Sequence, residues 1–231
     1  MKGEDITLQA TDGMSFQVYV VGEPRPPHPG VIMFTPIFGV DNDAKAIADR
    51  WAVRGYLVAV PDYFFRTTPG VLDRSENGRK AAMTRWKSLD VDCVMTDMTV
   101  LKDLLLSNPA CNGELAALGF CAGGELAFLA STRLGAKAVA TFHATHIDRH
   151  LDEAHKIAGS ITLHYGGNDS LVPMDQVDGI RKRLAADPRI DVHVYEGAGH
   201  GFSFPTQPSY QEAAATQSDH RAQQVLGALK A

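Results

Sequence analysis

The chain has 231 residues, of which 45% are hydrophobic and 21% are charged, and its formal net charge is −5. This balance is typical of a soluble globular protein and disfavours a nucleic-acid partner, because no Lys/Arg cluster is long enough to follow a phosphate backbone. No apolar stretch approaches the roughly 20 residues that span a bilayer, and the polar start MKGEDITLQA lacks the core of a signal peptide.

Short apolar runs alternate with longer segments of helical spacing along the whole chain. The predicted elements, in chain order, are strands at 6–10, 15–21 and 31–34, a helix at 43–54, a strand at 56–60, helices near 80–86 and at 91–106, a strand at 115–119, a helix at 122–134, strands at 136–142 and 159–165, a helix at 174–185, a strand at 191–195 and a closing helix at 217–229. The proline-rich segment 23–29 is predicted as a surface loop, because proline lacks an N–H donor.

This alternation predicts an α/β fold with a mostly parallel central sheet and helices on both faces. No internal repeat, low-complexity segment or linker-like change of composition interrupts the chain. A single domain over residues 1–231 is therefore predicted.

The segment Gly119-Phe120-Cys121-Ala122-Gly123-Gly124 lies where a predicted strand meets a predicted helix. The spacing Gly-x-Cys-x-Gly matches a nucleophile elbow, in which a strained backbone presents the nucleophile and glycines leave room for the neighbouring chain. At a helix N-terminus, the helix field favours a thiolate, and the N–H of Ala122 is free to bind an oxyanion. A small residue packed in a tight turn is the simpler alternative.

An elbow of this kind needs an acid and then a histidine further along the chain. Asp169 follows a predicted strand in the turn Gly166-Gly167-Asn168, and His200 follows the next strand in a glycine-rich loop. Each residue alone fits a structural turn. Since all three lie at the carboxyl ends of predicted strands, where ligands bind in such sheets, we predict a catalytic triad in which Asp169 orients His200 and His200 shares the thiol proton.

Together these motifs resemble those of the dienelactone hydrolases, cysteine enzymes of the α/β-hydrolase superfamily. The resemblance covers nearly the whole chain and extends to Ile37-Phe38-Gly39-Val40 and Pro61-Asp62. It implies an α/β-hydrolase fold, a Cys121, Asp169 and His200 triad, and an oxyanion hole made by the backbone N–H groups of Ala122 and Ile37. The implied activity is hydrolysis of a carboxylic ester or lactone through an acyl-enzyme.

Two positions depart from the family pattern. Family members that open dienelactone carry a glutamate before the Ile-Phe-Gly run, which helps to ionise the cysteine, and here that position is Pro36. Of the two arginines that bind the substrate carboxylate, the first corresponds to Arg79, which equally fits an exposed helix position, and the second is replaced by Phe204. We therefore expect an uncharged ester, lactone or thioester rather than dienelactone. The other expected pocket residues are Phe64, Trp86 and His143.

Several alternatives remain at this point: a thioesterase or other acyl hydrolase, a binding or sensor protein that has lost turnover, and a redox role for Cys121. Pro36 motivates the binding protein, whereas the lack of a C-x-x-C motif disfavours redox chemistry. No nucleotide-binding or zinc-protease motif occurs, and His143 and His146 lack a nearby third ligand, so we expect no cofactor and no metal.

Cys93, Cys111 and Cys121 show no metal-like spacing. Without a secretory signal, they indicate reduced thiols in the cytoplasm. We accordingly expect a cytoplasmic monomer or homodimer whose partner is a small-molecule ester or lactone, with no nucleic-acid or membrane partner.

Overall fold

A computed structural model of the chain describes residues 3–230. The strands are β1 (Glu4–Gln9), β2 (Ser15–Val21), β3 (His28–Phe34), β4 (Leu57–Pro61), β5 (Cys111–Phe120), β6 (Ala138–Phe142), β7 (Ser160–Gly166) and β8 (Ile190–Tyr195). The α-helices are α1 (Asn42–Val53), α2 (Glu76–Lys87), α3 (Val91–Ser107), α4 (Ala122–Leu129), α5 (Met174–Leu184) and α6 (Glu212–Gly227). A π-helical turn at Ala130–Leu134 continues α4, and 3₁₀ helices occupy Ile147–Lys156 and Ala228–Lys230.

The chain forms two compact units, one up to Leu115 and one from Ala116 onward. The strands of the first unit are ordered β1-β2-β4-β3, with antiparallel pairs except for β3 and β4, which are parallel. The strands of the second unit are ordered β5-β6-β7-β8 and are all parallel. The prediction of a mostly parallel sheet is confirmed. The single domain over 1–231, whose residues 1, 2 and 231 lie outside the described part, stays a prediction.

Burial explains why the sequences of the inner strands are unbroken runs of apolar residues. The side chains of 31–34 in β3 are fully buried, as are those of 116–118 in β5. Since successive side chains of a strand point to opposite faces, both faces of these strands are covered. Their carboxyl ends, where the chain turns into loops and helices, are left to carry polar residues.

The observed boundaries differ from the predicted ones mainly at element starts. α2 begins at Glu76 because the Ser75 hydroxyl caps it, accepting from the Gly78 N–H at 3.1 Å. β3 begins at His28, whose N–H donates to the Ala110 carbonyl at 2.8 Å. The 3₁₀ helix at Ile147–Lys156 was not predicted. None of the helices within residues 3–230 combines the length and apolar character that a membrane span requires.

Candidate active site

Cys121 lies between the last residue of β5 and the first residue of α4. Its φ is 54°, a positive value that is costly for a residue with a side chain and that matches the strain predicted for a nucleophile elbow. The Cys121 N–H donates to the Phe142 carbonyl at 3.0 Å, and its carbonyl accepts from the N–H groups of Gly124 and Thr145 at 3.0 and 3.2 Å. Main-chain hydrogen bonds thus hold the strained conformation. The Cys121 side chain makes no capping hydrogen bond to α4.

Two glycines of the motif make room for neighbouring chain. A Cβ at Gly119 would collide with the Gly123 carbonyl oxygen, and a Cβ at Gly124 would collide with Ala144. Larger residues at either position would push the elbow away from the chain that supports it. No side chain caps α4, so its first N–H groups, including that of Ala122, are among those that a helix leaves unpaired.

The segment after β6 supports the elbow and is itself strained. His143 and His146 have φ values of 43° and 62°. The His143 N–H donates to the His164 carbonyl at 2.7 Å. The buried carboxylate of Glu125 lies 3.4 Å from His146 Nδ1 and 2.7 Å from His150 Nε2. Such strain persists only where the surroundings fix the backbone, as they do here.

Asp169 and His200 lie in neighbouring loops, after β7 and β8. Backbone hydrogen bonds join the two loops: Gly167 N–H to the Tyr195 carbonyl at 2.8 Å, and Asn168 N–H to the Ala198 carbonyl at 2.9 Å. Asp169 Oδ2 is 2.8 Å from His200 Nδ1. The Asp169 side chain is fully buried, and its Oδ1 accepts from the N–H of Leu171 at 2.8 Å. The carboxylate is therefore fixed on both sides and orients the imidazole.

The charge state of His200 follows from its neighbours. Burial alone would lower its pKa, but the charge of Cys121 and the hydrogen bond to Asp169 outweigh burial and raise the pKa to about 10. Its Nε2 is buried and makes no hydrogen bond of standard geometry within residues 3–230, although Cys121 is close enough to act on the pKa. This arrangement favours the protonated form of the His200 imidazole.

An uncharged wall lies beside His200. The ring centroid of His143 is 4.8 Å from that of His200 and 5.9 Å from that of Phe204, and Phe204 packs edge-on against Phe120 at 5.3 Å. Burial lowers the pKa of His143 well below 6.5, and the charge of His200 acts in the same direction. His143 Nε2 lies 3.1 Å from Ser203 Oγ. The wall therefore carries no positive charge of its own at neutral pH.

The remaining predicted pocket residues belong to the first unit. Phe64 has no exposed surface, and the Arg85 guanidinium covers its ring at 4.2 Å from the centroid. Arg79 is exposed on α2, where it lines an open surface groove of about 410 Å³. Trp86, on the same helix, is half-buried. A role of these side chains in substrate binding stays a prediction.

Two polar residues were not predicted: Ser203, which contacts His143, and Arg85. Nothing in the local sequence marks either one, because their partners are distant along the chain. Within residues 3–230, no group of three or more His, Cys, Asp or Glu side chains is arranged to hold a metal ion. All three cysteines are free thiols.

Known proteins resemble this chain in sequence and in fold. The model of the dienelactone hydrolase family matches residues 16–229. The carboxymethylenebutenolidase of Pseudomonas putida is 28% identical over 232 residues, covering 100% of this chain and 98% of its own. Among solved structures, a dienelactone hydrolase-like promiscuous phosphotriesterase from metagenomic libraries has a TM-score of 0.77 at 23% identity, with 99% of each chain covered. Esterase 2 of Thermogutta terrifontis has a TM-score of 0.70 at 15% identity, covering 98% of this chain and 94% of its own.

The fold and the match over residues 16–229 define an α/β-hydrolase. The chain belongs to the dienelactone hydrolase family. The predicted family, the predicted fold class and the predicted enzyme class, a hydrolase of ester or lactone bonds, are confirmed. This membership favours an enzyme over the binding-protein alternative.

Proposed function

We propose that the protein hydrolyses an uncharged carboxylic ester or lactone through a Cys121, His200 and Asp169 triad and an acyl-enzyme intermediate. One observation carries the proposal: His200 is held by Asp169 at 2.8 Å, and its pKa is raised to about 10 by Cys121 and Asp169 together. A thiolate paired with an imidazolium is the form that attacks carbonyl carbon.

In acylation, the Cys121 thiolate forms a bond to the carbonyl carbon, and the carbonyl electron pair moves onto oxygen. The N–H of Ala122 at the start of α4 stabilises this oxyanion. The tetrahedral intermediate collapses by breaking the C–O bond. The departing alkoxide takes the proton from His200 Nε2, which leaves a neutral imidazole and a thioester.

Deacylation reverses the proton transfers. Neutral His200 accepts a proton from water as the water oxygen attacks the thioester carbonyl. The second tetrahedral intermediate expels the Cys121 thiolate and releases the carboxylic acid. Asp169 stabilises the imidazolium that forms again, so the pair returns to its starting state.

The thiolate is formed here without the family glutamate. Asp41, the nearest downstream carboxylate, caps α1 by accepting from the Ala44 N–H at 2.9 Å and pairs with Arg74 at 2.9 Å. Thr35, directly before Pro36, is buried and carries no carboxylate. We assign the activating role to His200, Asp169 and the N-terminus of α4 instead.

The proposed substrate has no carboxylate near Phe204. Phe204 is only 3% exposed and packs against Phe120 and the neutral ring of His143. A carboxylate on this side would lose its hydration without gaining a cation. Uncharged esters, lactones and acyl thioesters avoid this cost.

A reduced Cys121 is required for this chemistry. The three free thiols support our proposal that the enzyme works in the cytoplasm. We further propose that it is a monomer or a homodimer.

The test combines a variant with a substrate panel. Cys121→Ala should lose hydrolysis of p-nitrophenyl acetate, whereas Cys93→Ala and Cys111→Ala should keep it. The panel covers p-nitrophenyl esters, acyl thioesters, and lactones with and without a carboxylate. We expect higher kcat/KM for the uncharged esters than for dienelactone. Turnover retained by folded Cys121→Ala would remove the assignment.

A further inference from the structure

The backbone of Cys121 is held on both sides by the segment that follows β6. Its N–H donates to the Phe142 carbonyl at 3.0 Å, and its carbonyl accepts from the Thr145 N–H at 3.2 Å. The Gly124 N–H also donates to this carbonyl, but Gly124 belongs to α4 itself. The Cys121 carbonyl and the Ala122 N–H are parts of one peptide. Because a peptide is planar, the hydrogen bond from Thr145 constrains the direction of the Ala122 N–H.

The segment that supplies the Thr145 N–H is strained at both ends. His143 and His146 flank it with φ values of 43° and 62°, in the left-handed region that is unfavourable for residues with a side chain. The segment lies directly against α4, since a Cβ at Gly124 would collide with Ala144. A strained backbone keeps its conformation only where other contacts determine it. The position of the Thr145 N–H therefore depends on what holds the two flanking histidines.

Glu125 holds the second of these histidines. The residue is only 4% exposed, its Oε2 lies 3.4 Å from His146 Nδ1, and its Oε1 lies 2.7 Å from His150 Nε2. Burial alone would raise the pKa of Glu125, but the hydrogen bonds and charges of the two histidines outweigh burial and lower it. Glu125 lies in the first turn of α4. One carboxylate thus joins the helix that starts at the elbow to the segment that supports the elbow.

We infer that Glu125 is a positioning residue for acylation, which fixes the direction of the Ala122 N–H. Its carboxylate holds His146 in place. The N–H of the preceding residue, Thr145, then stays on the Cys121 carbonyl, whose peptide contains the Ala122 N–H. All five residues belong to the second unit. The inference rests on the proposed function, in which the Ala122 N–H stabilises the oxyanion.

Two reactions at the Cys121 thiol separate positioning from general structural support. Alkylation by iodoacetamide displaces iodide from a CH₂ carbon and places no charge on a carbonyl oxygen, so it needs the thiolate alone. The acylation burst with p-nitrophenyl acetate needs the thiolate and the oxyanion donor. In Glu125→Ala we expect the burst rate to fall by about 10- to 100-fold, whereas the alkylation rate at its high-pH plateau should stay within about threefold of wild type.

Hydrogen exchange tests the route through the main chain. The Thr145 amide is bonded to the Cys121 carbonyl in the wild-type protein. In Glu125→Ala this amide should exchange with deuterium about tenfold faster, measured by NMR, because the segment opens more often once His146 is released. Unchanged exchange of the Thr145 amide would overturn the inference.

Three further variants bracket the result. Glu125→Gln keeps the size and the hydrogen-bonding groups of the side chain without its charge, so its burst rate should lie between those of wild type and Glu125→Ala. Glu153→Ala removes another carboxylate near α4, paired with Arg133 at 2.6 Å in the π-helical turn beyond the far end of that helix, and both reactions should stay near wild type. If Glu125→Ala does not fold, His146→Ala breaks the same contact from the other side and should slow acylation selectively.

Proportional loss of both reactions in Glu125→Ala would assign Glu125 a purely structural role and overturn the inference. Wild-type burst rates in folded Glu125→Ala or His146→Ala would also overturn it. A Glu125→Gln variant as slow as Glu125→Ala would do the same, because it would assign the effect to the charge of the carboxylate. None of these outcomes touches the proposed function, which depends on whether Cys121→Ala loses all turnover.

Discussion

Two short loops of this protein are held in their conformations by different kinds of hydrogen bond. The elbow at Cys121 and the turn at Ile37 each follow a buried strand. Main-chain hydrogen bonds from nearby segments hold the elbow, as in the pair from Cys121 N–H to the Phe142 carbonyl at 3.0 Å. A side chain 48 residues further along the chain, Arg85, holds the turn.

The difference separates chemistry from orientation. The second unit contains the thiol, the imidazole and the carboxylate, so removing one of them removes a step of the reaction. The first unit contains the turn at Ile37, which carries none of these three groups, so a change in this turn leaves every reacting group in place. Variants of the first kind should therefore cost more activity than variants of the second kind.

The largest effect is expected for His200→Gln. Loss of the proton carrier should lower kcat/KM for p-nitrophenyl acetate by roughly 10³- to 10⁴-fold, because both acylation and deacylation use its Nε2. The matched control is His155→Gln, which changes an exposed histidine of the 3₁₀ helix and should leave kcat/KM unchanged. A His200→Gln enzyme that keeps a tenth of the wild-type kcat/KM would contradict the triad. It would also contradict the larger loss of activity expected for variants of the second unit.

Asp169→Asn should cost less, roughly 10²-fold in kcat/KM, and should alter the pH dependence. The pKa of His200 is raised from 6.5 to about 10, so the imidazolium persists through neutral pH and is lost as the pH rises toward 10. Acylation uses that proton, and kcat/KM should fall over the same alkaline range. Without the Asp169 hydrogen bond, the fall should move to lower pH.

The titration can be followed directly. An NMR signal from the His200 ring, assigned by its absence in His200→Gln, should have its midpoint near 10 in wild type and lower in Asp169→Asn. A midpoint near 6.5 in the wild-type protein would mean that no thiolate and imidazolium pair forms at rest.

The elbow and the turn also mark the limit of what could be predicted from the sequence. The strain at Cys121 was predictable because Gly119, Cys121 and the start of α4 are adjacent in the chain. The order of Asp169 and His200 was predictable because each follows a strand whose period and length are local features. Arg85 could not be found in this way, since only folding brings its guanidinium to the Ile37 carbonyl.

Helix starts show the same limit on a smaller scale. The helical spacing predicted a helix near 80–86, but the cap at Ser75 starts α2 at Glu76. The predicted start of the closing helix at 217 was also late, because α6 begins at Glu212. The missed start of α2 is mostly polar, and the missed start of α6 consists mainly of alanine, so neither turn shows the pattern of large apolar residues on which the prediction depended.

Glycine substitutions test how far the stability of the protein depends on the close packing of the elbow. Gly119→Ala places a Cβ against the Gly123 carbonyl oxygen and 2.6 Å from the Ala127 Cβ, so it should lower the free energy of unfolding by about 1–3 kcal/mol. Gly179→Ala, in α5, meets no atom within 4 Å and should raise it by about 0.5–1 kcal/mol. Urea denaturation measures both. Equal stability of the two variants would show that the elbow tolerates a side chain at its first glycine.

The smallest effect concerns specificity. Phe204→Arg introduces a guanidinium beside the ring of His143, at the position where the resemblance to dienelactone hydrolases implies an arginine. For a matched pair of lactones with and without a carboxylate, the ratio of kcat/KM values should shift toward the charged lactone by about 3- to 10-fold, mainly through KM. Phe204→Leu keeps the wall apolar and should leave the ratio unchanged. An unchanged ratio in folded Phe204→Arg would mean that substrate does not approach this wall, and that the uncharged preference arises elsewhere in the pocket.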